Sequence, residues 1–135
     1  MKPEAIVHKM YENDAFSKWL GISVEEIKVG YCRLKMTVRK DMLNGFGIAH
    51  GGIAYSLADS ALAFASNSQG KQALSIETSI NHLEKLFEGD TIVAEAKEES
   101  LKSSLGIYKV EITNNQKLVA LFKGLVYRTQ KDWEE

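Results

Sequence analysis

A single cysteine, Cys32, and a single proline, Pro3, are all that the 135 residues hold of either type. One thiol cannot close an intrachain disulfide. The three histidines, His8, His50 and His82, are scattered and no CxxC occurs, so no zinc spacing is present and neither a metal nor another cofactor is expected. Beyond Pro3 no proline interrupts the chain, and no repeat, low-complexity tract or Pro/Gly/Ser linker divides it; residues 1–135 read as one domain. Excess charge is also missing. With 17 Lys and Arg against 18 Asp and Glu, the net charge of -1 supplies no field that would gather nucleic acid. No run approaches the roughly 18 apolar residues of a membrane span, and the opening "MKPEAIVHKMYEND" lacks the apolar core of a signal peptide. A soluble cytoplasmic protein that binds neither nucleic acid nor membrane is expected.

What is present is an ordinary globular composition, 44% hydrophobic and 26% charged, arranged in clear periods. Pro3 to Asn13 reads as a helix with Ile6, Val7 and Met10 on one side. In "YCRLKMTVRK", Cys32, Leu34, Met36 and Val38 alternate with Arg33, Lys35, Thr37 and Arg39, the period of a half-buried strand. Gly51 to about Asn67 carries no breaker and is apolar on most sides, which predicts a buried helix. Four strands follow. In "LSIETSINHL", Leu74, Ile76, Thr78 and Ile80 form one face; "TIVAEAKEES" starts after a turn at Gly89 and Asp90; "GIYKVEIT" and "KLVALFKGLVYRT" flank a hairpin turn at "NNQ". Strands joined by short links cannot be parallel, because a parallel crossover needs about a dozen residues. The expectation is therefore α+β: a curved antiparallel sheet folded around one central helix.

The chemistry concentrates in "NGFGIAHGGIAYSLADSALAFASN", Asn44 to Asn67. Glycines precede the helix, then His50, then Gly51 and Gly52, which permit close approach of a ligand to the main chain. The first amides of a helix have no helical acceptor and the dipole makes that end partly positive, so an oxyanion would be stabilised there. The alternative is a loop that only caps the helix. Further along stands Asp59, a carboxylate in an otherwise apolar run. An ionised carboxylate without a partner is costly to bury, so Asp59 is either paired for structural reasons, at an interface, or at work. It lies close to two turns, about 10 Å, beyond Gly52, too far for both to act on one carbonyl within one chain. If both act, the second group comes from a neighbouring subunit of a symmetric dimer.

The run "DMLNGFGIAHGGIAYSLADSALAFASN" resembles the signature of hotdog-fold acyl-CoA thioesterases of the phenylacetate-degradation (PaaI) type: Asn-Gly, His-Gly-Gly, then Leu-Ala-Asp. The likeness spans nearly the whole chain, taking in "TVRKDMLNG", "EGD" at Glu88 to Asp90 and "LVALFKGLVYR". It implies a hotdog fold, a long antiparallel sheet wrapped around one helix and assembled as dimers or tetramers, and hydrolysis of acyl-CoA to free acid and CoA. Carried over by position, Asp59 is implied as the catalytic carboxylate, acting as nucleophile or through water. Gly51 is implied as the glycine whose N–H polarises the thioester carbonyl. His50 and Asn44 are implied to shape the loop and touch the thioester end, and Ser75 to hydrogen-bond the carboxylate or the attacking water. Asn44 and the Gly51 loop would come from one subunit, Asp59 and Ser75 from the other.

Such a reaction needs a nucleophile or base and an oxyanion site, without a metal. His50, directly before Gly-Gly, is read as orienting the loop rather than moving a proton. Gly52, His82 and Lys102 are candidate substrate contacts; Lys102, with Arg128 and Lys123 behind it, is a candidate for the CoA phosphates. The segment "HLEKLF" departs from the family pattern, which often has a proline there, so His82, Lys85 and Phe87 bear on acyl preference. Cys32 belongs to the core by its place on the strand. Two other readings remain: a non-catalytic acyl-CoA-binding module, and a hotdog hydratase or dehydratase, for which no motif occurs. No GxSxG is present to suggest a serine hydrolase.

Overall fold

The computed structural model describes all residues, 1–135. Helix α1 (Pro3–Glu12) begins on proline, whose missing N–H costs nothing at a helix start. A second helix, α2 (Ala15–Leu20), and a first strand, β1 (Ser23–Lys28), precede β2 (Tyr31–Thr37). A short 3-10 turn, Lys40–Met42, leads into the glycine loop and the central helix α3 (Gly51–Asn67). Strands β3 (Lys71–His82), β4 (Thr91–Leu101), β5 (Leu105–Asn114) and β6 (Lys117–Asp132) complete the chain.

Every strand pairing is antiparallel, in one six-stranded sheet of order β1-β2-β4-β5-β6-β3. The sheet wraps α3, which touches β2, β3, β4, β5 and β6. Buried Leu57, Ala61, Leu62, Phe64 and Ala65 fill the space between them. Gly124 of β6 lies under Leu62, whose side chain occupies the place a Cβ would take. This is the antiparallel sheet around one central helix expected from the strand pattern, and the hotdog arrangement that the resemblance implies.

Three features differ from that expectation. Helix α2 and strand β1 were not legible: the helix has only six residues, and consecutive Glu25 and Glu26 disrupt the alternation where β1 bulges between Val24 and Glu26. The link from β3 to β4 is not a hairpin; it crosses from the sheet edge past β6 and β5, tied to the glycine loop by Ala49 N–H donating to the Leu86 carbonyl at 2.8 Å. The apolar face expected of β3 is also not buried. Register slips between Ser75 and Glu77, and Leu74 and Ile76 remain 67% and 57% exposed on a strand with a neighbour on only one side.

The hairpin at "NNQ" forms as the sequence suggests. Asn115 and Gln116 both take positive φ, 51° and 67°, the backbone of a two-residue turn matched to strand twist. Cys32 is fully buried and donates to the Ala61 carbonyl at 3.2 Å, and burial pushes its thiol well above the usual range. It is a core residue, as its strand position indicated.

Candidate active site

Asn44 organises the loop that enters α3. Its Oδ1 accepts from the N–H of Phe46 at 2.9 Å and of Ile48 at 3.4 Å, and its own N–H donates to the Ile48 carbonyl at 2.7 Å. Residues 44–48 therefore close on one side chain. His50 then caps α3: its Nδ1 accepts the Gly52 N–H at 3.0 Å, which leaves the ring proton on Nε2. His50 N–H is held by the Met42 carbonyl, and Ile53 N–H returns to the His50 carbonyl. The N–H of Gly51 has no acceptor in the chain. It opens, exposed, into a cleft of about 570 Å³. Asn44, His50, Gly51, His82, Lys85 and Phe87 are among the residues lining that cleft.

Asp59 lies elsewhere. Eight residues beyond Gly51, about 12 Å along the helix, it lines a second cavity of about 200 Å³ together with Met10, Ser66, Leu74 and Ser75. Burial pushes the Asp59 carboxyl above its ordinary range, and the nearby Asp14 carboxylate adds to the rise. Asp14 itself caps α2, accepting from Ser17 N–H at 2.9 Å and Ser17 Oγ at 2.6 Å. Ser17 Oγ continues to Ser60 Oγ at 2.8 Å, one residue from Asp59. This Asp14 link was missed in the sequence, although "DAFS" carries the Asp-x-x-Ser spacing of a helix cap.

Asn67 fixes the floor of the Asp59 cavity. Fully enclosed at the end of α3, it donates to the carbonyls of Ala63 and Ala73 and accepts from Ala73 N–H and Trp133 Nε1, at 2.8 to 3.1 Å. It thereby ties the helix to the start of β3 one step before Ser75. Tyr55 does the same further along, with its hydroxyl bonded to Thr78 Oγ1 and its ring edge-on to Phe122 at 5.5 Å.

The sequence-derived residues thus fall into two groups. Asn44, His50, Gly51, Gly52 and His82 gather at the start of α3, and Asp59 and Ser75 gather around its middle. Lys102 lines neither cavity; it sits in the β4–β5 turn, where its carbonyl accepts Arg128 Nη1 at 2.7 Å. Lys123 is exposed on β6. Lys85, not singled out for phosphate binding, is the cation on the wall of the large cleft.

The sheet thus wraps one helix with a free amide at its start and a carboxylate without a hydrogen-bond partner along it. Residues 46–120 match the model of the thioesterase superfamily. The acyl-coenzyme A thioesterase PaaI of Escherichia coli is 45% identical over 122 residues, covering 90% of this chain and 87% of that one. The solved structure of the E. coli PaaI protein, from the phenylacetic acid degradation operon, superposes with a TM-score of 0.94 at 42% identity, covering 96% of this chain and 95% of that one. A Streptococcus mutans UA159 protein solved with acetyl CoA bound superposes with a TM-score of 0.80 at 26% identity, covering 83% and 91% of the two chains. The chain belongs to the thioesterase superfamily, with the hotdog fold and the PaaI-type pattern.

Proposed function

We propose that the protein is an acyl-CoA thioesterase for aryl or short to medium acyl groups, working as a homodimer with shared sites, two dimers pairing into a tetramer. The observation that carries this reading is the division of one helix into two incomplete halves. The free Gly51 N–H and the Asp59 carboxylate lie about 12 Å apart in separate cavities. The Gly51 half holds the free amide beside the exposed His82 and Glu84 but no half-buried carboxylate, and the Asp59 half holds the carboxylate but no free helix-start amide. Strand β3, unpaired on one side and carrying exposed Leu74 and Ile76 beside Ser75, offers the surface on which a second copy would pair. Pairing there places the Asp59 and Ser75 of one subunit against the Asn44, His50 and Gly51 loop of its partner.

In that composite site the thioester oxygen accepts from Gly51 N–H, positioned by the His50 cap and the Asn44 loop. Asp59, made more basic by burial, either takes the proton of an attacking water or attacks the carbonyl itself, with Ser75 as its hydrogen-bond neighbour. The carbonyl carbon becomes tetrahedral, the C–S bond breaks with its electron pair leaving on sulfur, and CoA departs as the thiol after taking the proton that the water gave up; on the nucleophilic route that water cleaves the acyl–Asp59 anhydride, releasing the acid and restoring the carboxylate. Gly52 gives the backbone room for the ligand's approach, His82 lines the ligand's path, and the exposed Lys102 and the cleft's Lys85 serve the phosphates of CoA. The chain, 1–135, acts as one domain. No helix is long and apolar enough to cross a membrane; a cytoplasmic location is part of the proposal.

Thiol release from aromatic and aliphatic acyl-CoAs, with Asp59→Asn run beside the wild type, tests the reaction. Release that depends on Asp59 is the expected result, and binding of CoA esters without release would make the protein a binding module. Subunit exchange between Asp59→Asn and a Gly51→Ala variant tests the shared site: hybrids should regain activity, because one of their two sites carries neither substitution. Hybrids as inactive as both parents would exclude it.

A further inference from the structure

The last residue of β3, His82, lies in the segment where this chain departs from the family pattern. Its backbone pairs with Ala120 of β6, so the sheet fixes where its side chain starts. The imidazole then leans over the first residue of α3. A methyl group built on Gly51 would lie 3.3 Å from His82 Nε2, 3.5 Å from Cε1 and 3.9 Å from Cδ2. The ring therefore meets the helix start with Nε2 nearest. His50 commits its Nδ1 to capping the helix, whereas the His82 ring has no hydrogen-bond partner in the chain.

The backbone around it has little left to offer a ligand. Gly52 N–H is taken by His50 Nδ1 and Ile53 N–H by the His50 carbonyl, so Gly51 N–H is the one free amide of the first three. A carbonyl oxygen has two lone pairs, and the charge it gains on becoming tetrahedral is held best by two donors. Asn44 Nδ2 and the Lys85 ammonium are also free in this cleft, but the polar atom placed nearest the Gly51 backbone is His82 Nε2, 3.3 Å from where a Gly51 Cβ would stand.

We propose that His82 donates from Nε2 to the thioester carbonyl oxygen beside the Gly51 N–H, forming a two-donor oxyanion site. This role rests on the thioesterase reading above. During attack the π electron pair of the carbonyl moves onto oxygen, where both N–H groups hold it. On collapse the pair re-forms the C=O bond, the C–S bond breaks, and the departing thiolate receives the proton that the attacking water gave up. His82 neither gains nor loses a proton across the cycle. It differs in this from a general acid or base, and its position is set by β3 rather than by the helix it serves.

The test compares His82→Phe, which keeps a flat ring without a donor, with His82→Gln, which keeps a donor. On the preferred acyl-CoA, His82→Phe should lower kcat by about 10- to 100-fold while KM stays within about twofold, and His82→Gln should recover part of the loss. The carbonyl stretch of acyl-CoA bound to the Asp59→Asn protein supplies a readout that packing alone would not move. It should lie below its solution position and move back toward it when His82→Phe is added. That spectrum decides even where His82→Phe melts early. A wild-type kcat in His82→Phe, or a carbonyl stretch indifferent to His82, would overturn the role and leave the thioesterase standing. A wild-type protein that releases no thiol from any acyl-CoA would overturn both.

Discussion

The two ends of the working stretch of α3 are built differently. At the helix start the groups are exposed, loop-borne and mutually hydrogen-bonded: Asn44 holds the loop, His50 holds Gly52, and a wide cleft opens in front of Gly51. Around Asp59 the cavity is small, its floor is tied by fully enclosed Asn67, and the carboxylate is made more basic by its surroundings. The first region supplies fixed donors and space for a large ligand. The second supplies a group whose proton affinity is tuned by burial. One straight helix keeps the two apart, and the proposed reaction joins them only through an assembly at the β3 edge.

The largest break in this contrast is at Asp59 itself. Asp59→Asn should reduce turnover by about a hundredfold to ten-thousandfold in the thiol-release assay with the oligomer intact. Because the folded protein holds the Asp59 proton more tightly than the unfolded chain, the group opposes folding once ionised. Its contribution is favourable below the ordinary carboxylate range and is lost as pH rises through the raised native value. Asp59→Asn should therefore melt above the wild type at neutral pH, with the difference closing in acid. In the wild type, kcat/KM should fall on the acid side above the ordinary carboxylate range; a limb at the ordinary value would mean that the dimer relieves the burial.

Separating the two regions physically should come next in size. Leu74→Asp with Ile76→Asp places like charges along the free edge of β3 and should yield monomers by light scattering, with most activity gone while the melting transition persists. An active monomer would require a site within one chain.

Loosening the enclosed region alone should have a moderate effect. Asn67→Ala removes the partner of Ala73 N–H and of Trp133 Nε1 and should cost about 1–3 kcal/mol in urea unfolding. His50→Ala, at the exposed start, should cost only about 1 kcal/mol as a lost cap, yet lower kcat by misplacing Gly51. The smallest expected change lies outside both regions. Gln116→Gly relieves a non-glycine residue at φ 67° and should raise stability by about 0.5–1 kcal/mol without altering turnover.

The periodic elements were legible because their side chains obey one period over many residues. Cys32 to Val38, Tyr108 to Ile112 and the apolar α3 each report a buried face by spacing alone. The candidate site residues stood out for a different reason: an aspartate within an apolar helix is costly unless something uses it, while Asn44, His50, Gly51 and Ser75 were named through the resemblance. Helix α2 was not legible because six residues are too few to carry a period, and strand β1 because Glu25 and Glu26 interrupt its alternation. His82 read only as a candidate substrate contact, and Asp14 was not singled out.

By itself the sequence determined the longer elements, the antiparallel sheet and the residue types proposed to carry the chemistry, since backbone periodicity and local chain length are properties of neighbours. Only the tertiary structure decided that β3 is an edge strand, that the link after it lines the cleft, and that the His82 ring stands over Gly51. Strand order and the contact between residues 31 positions apart depend on how the sheet closes around α3, and no local pattern along the chain encodes that closure.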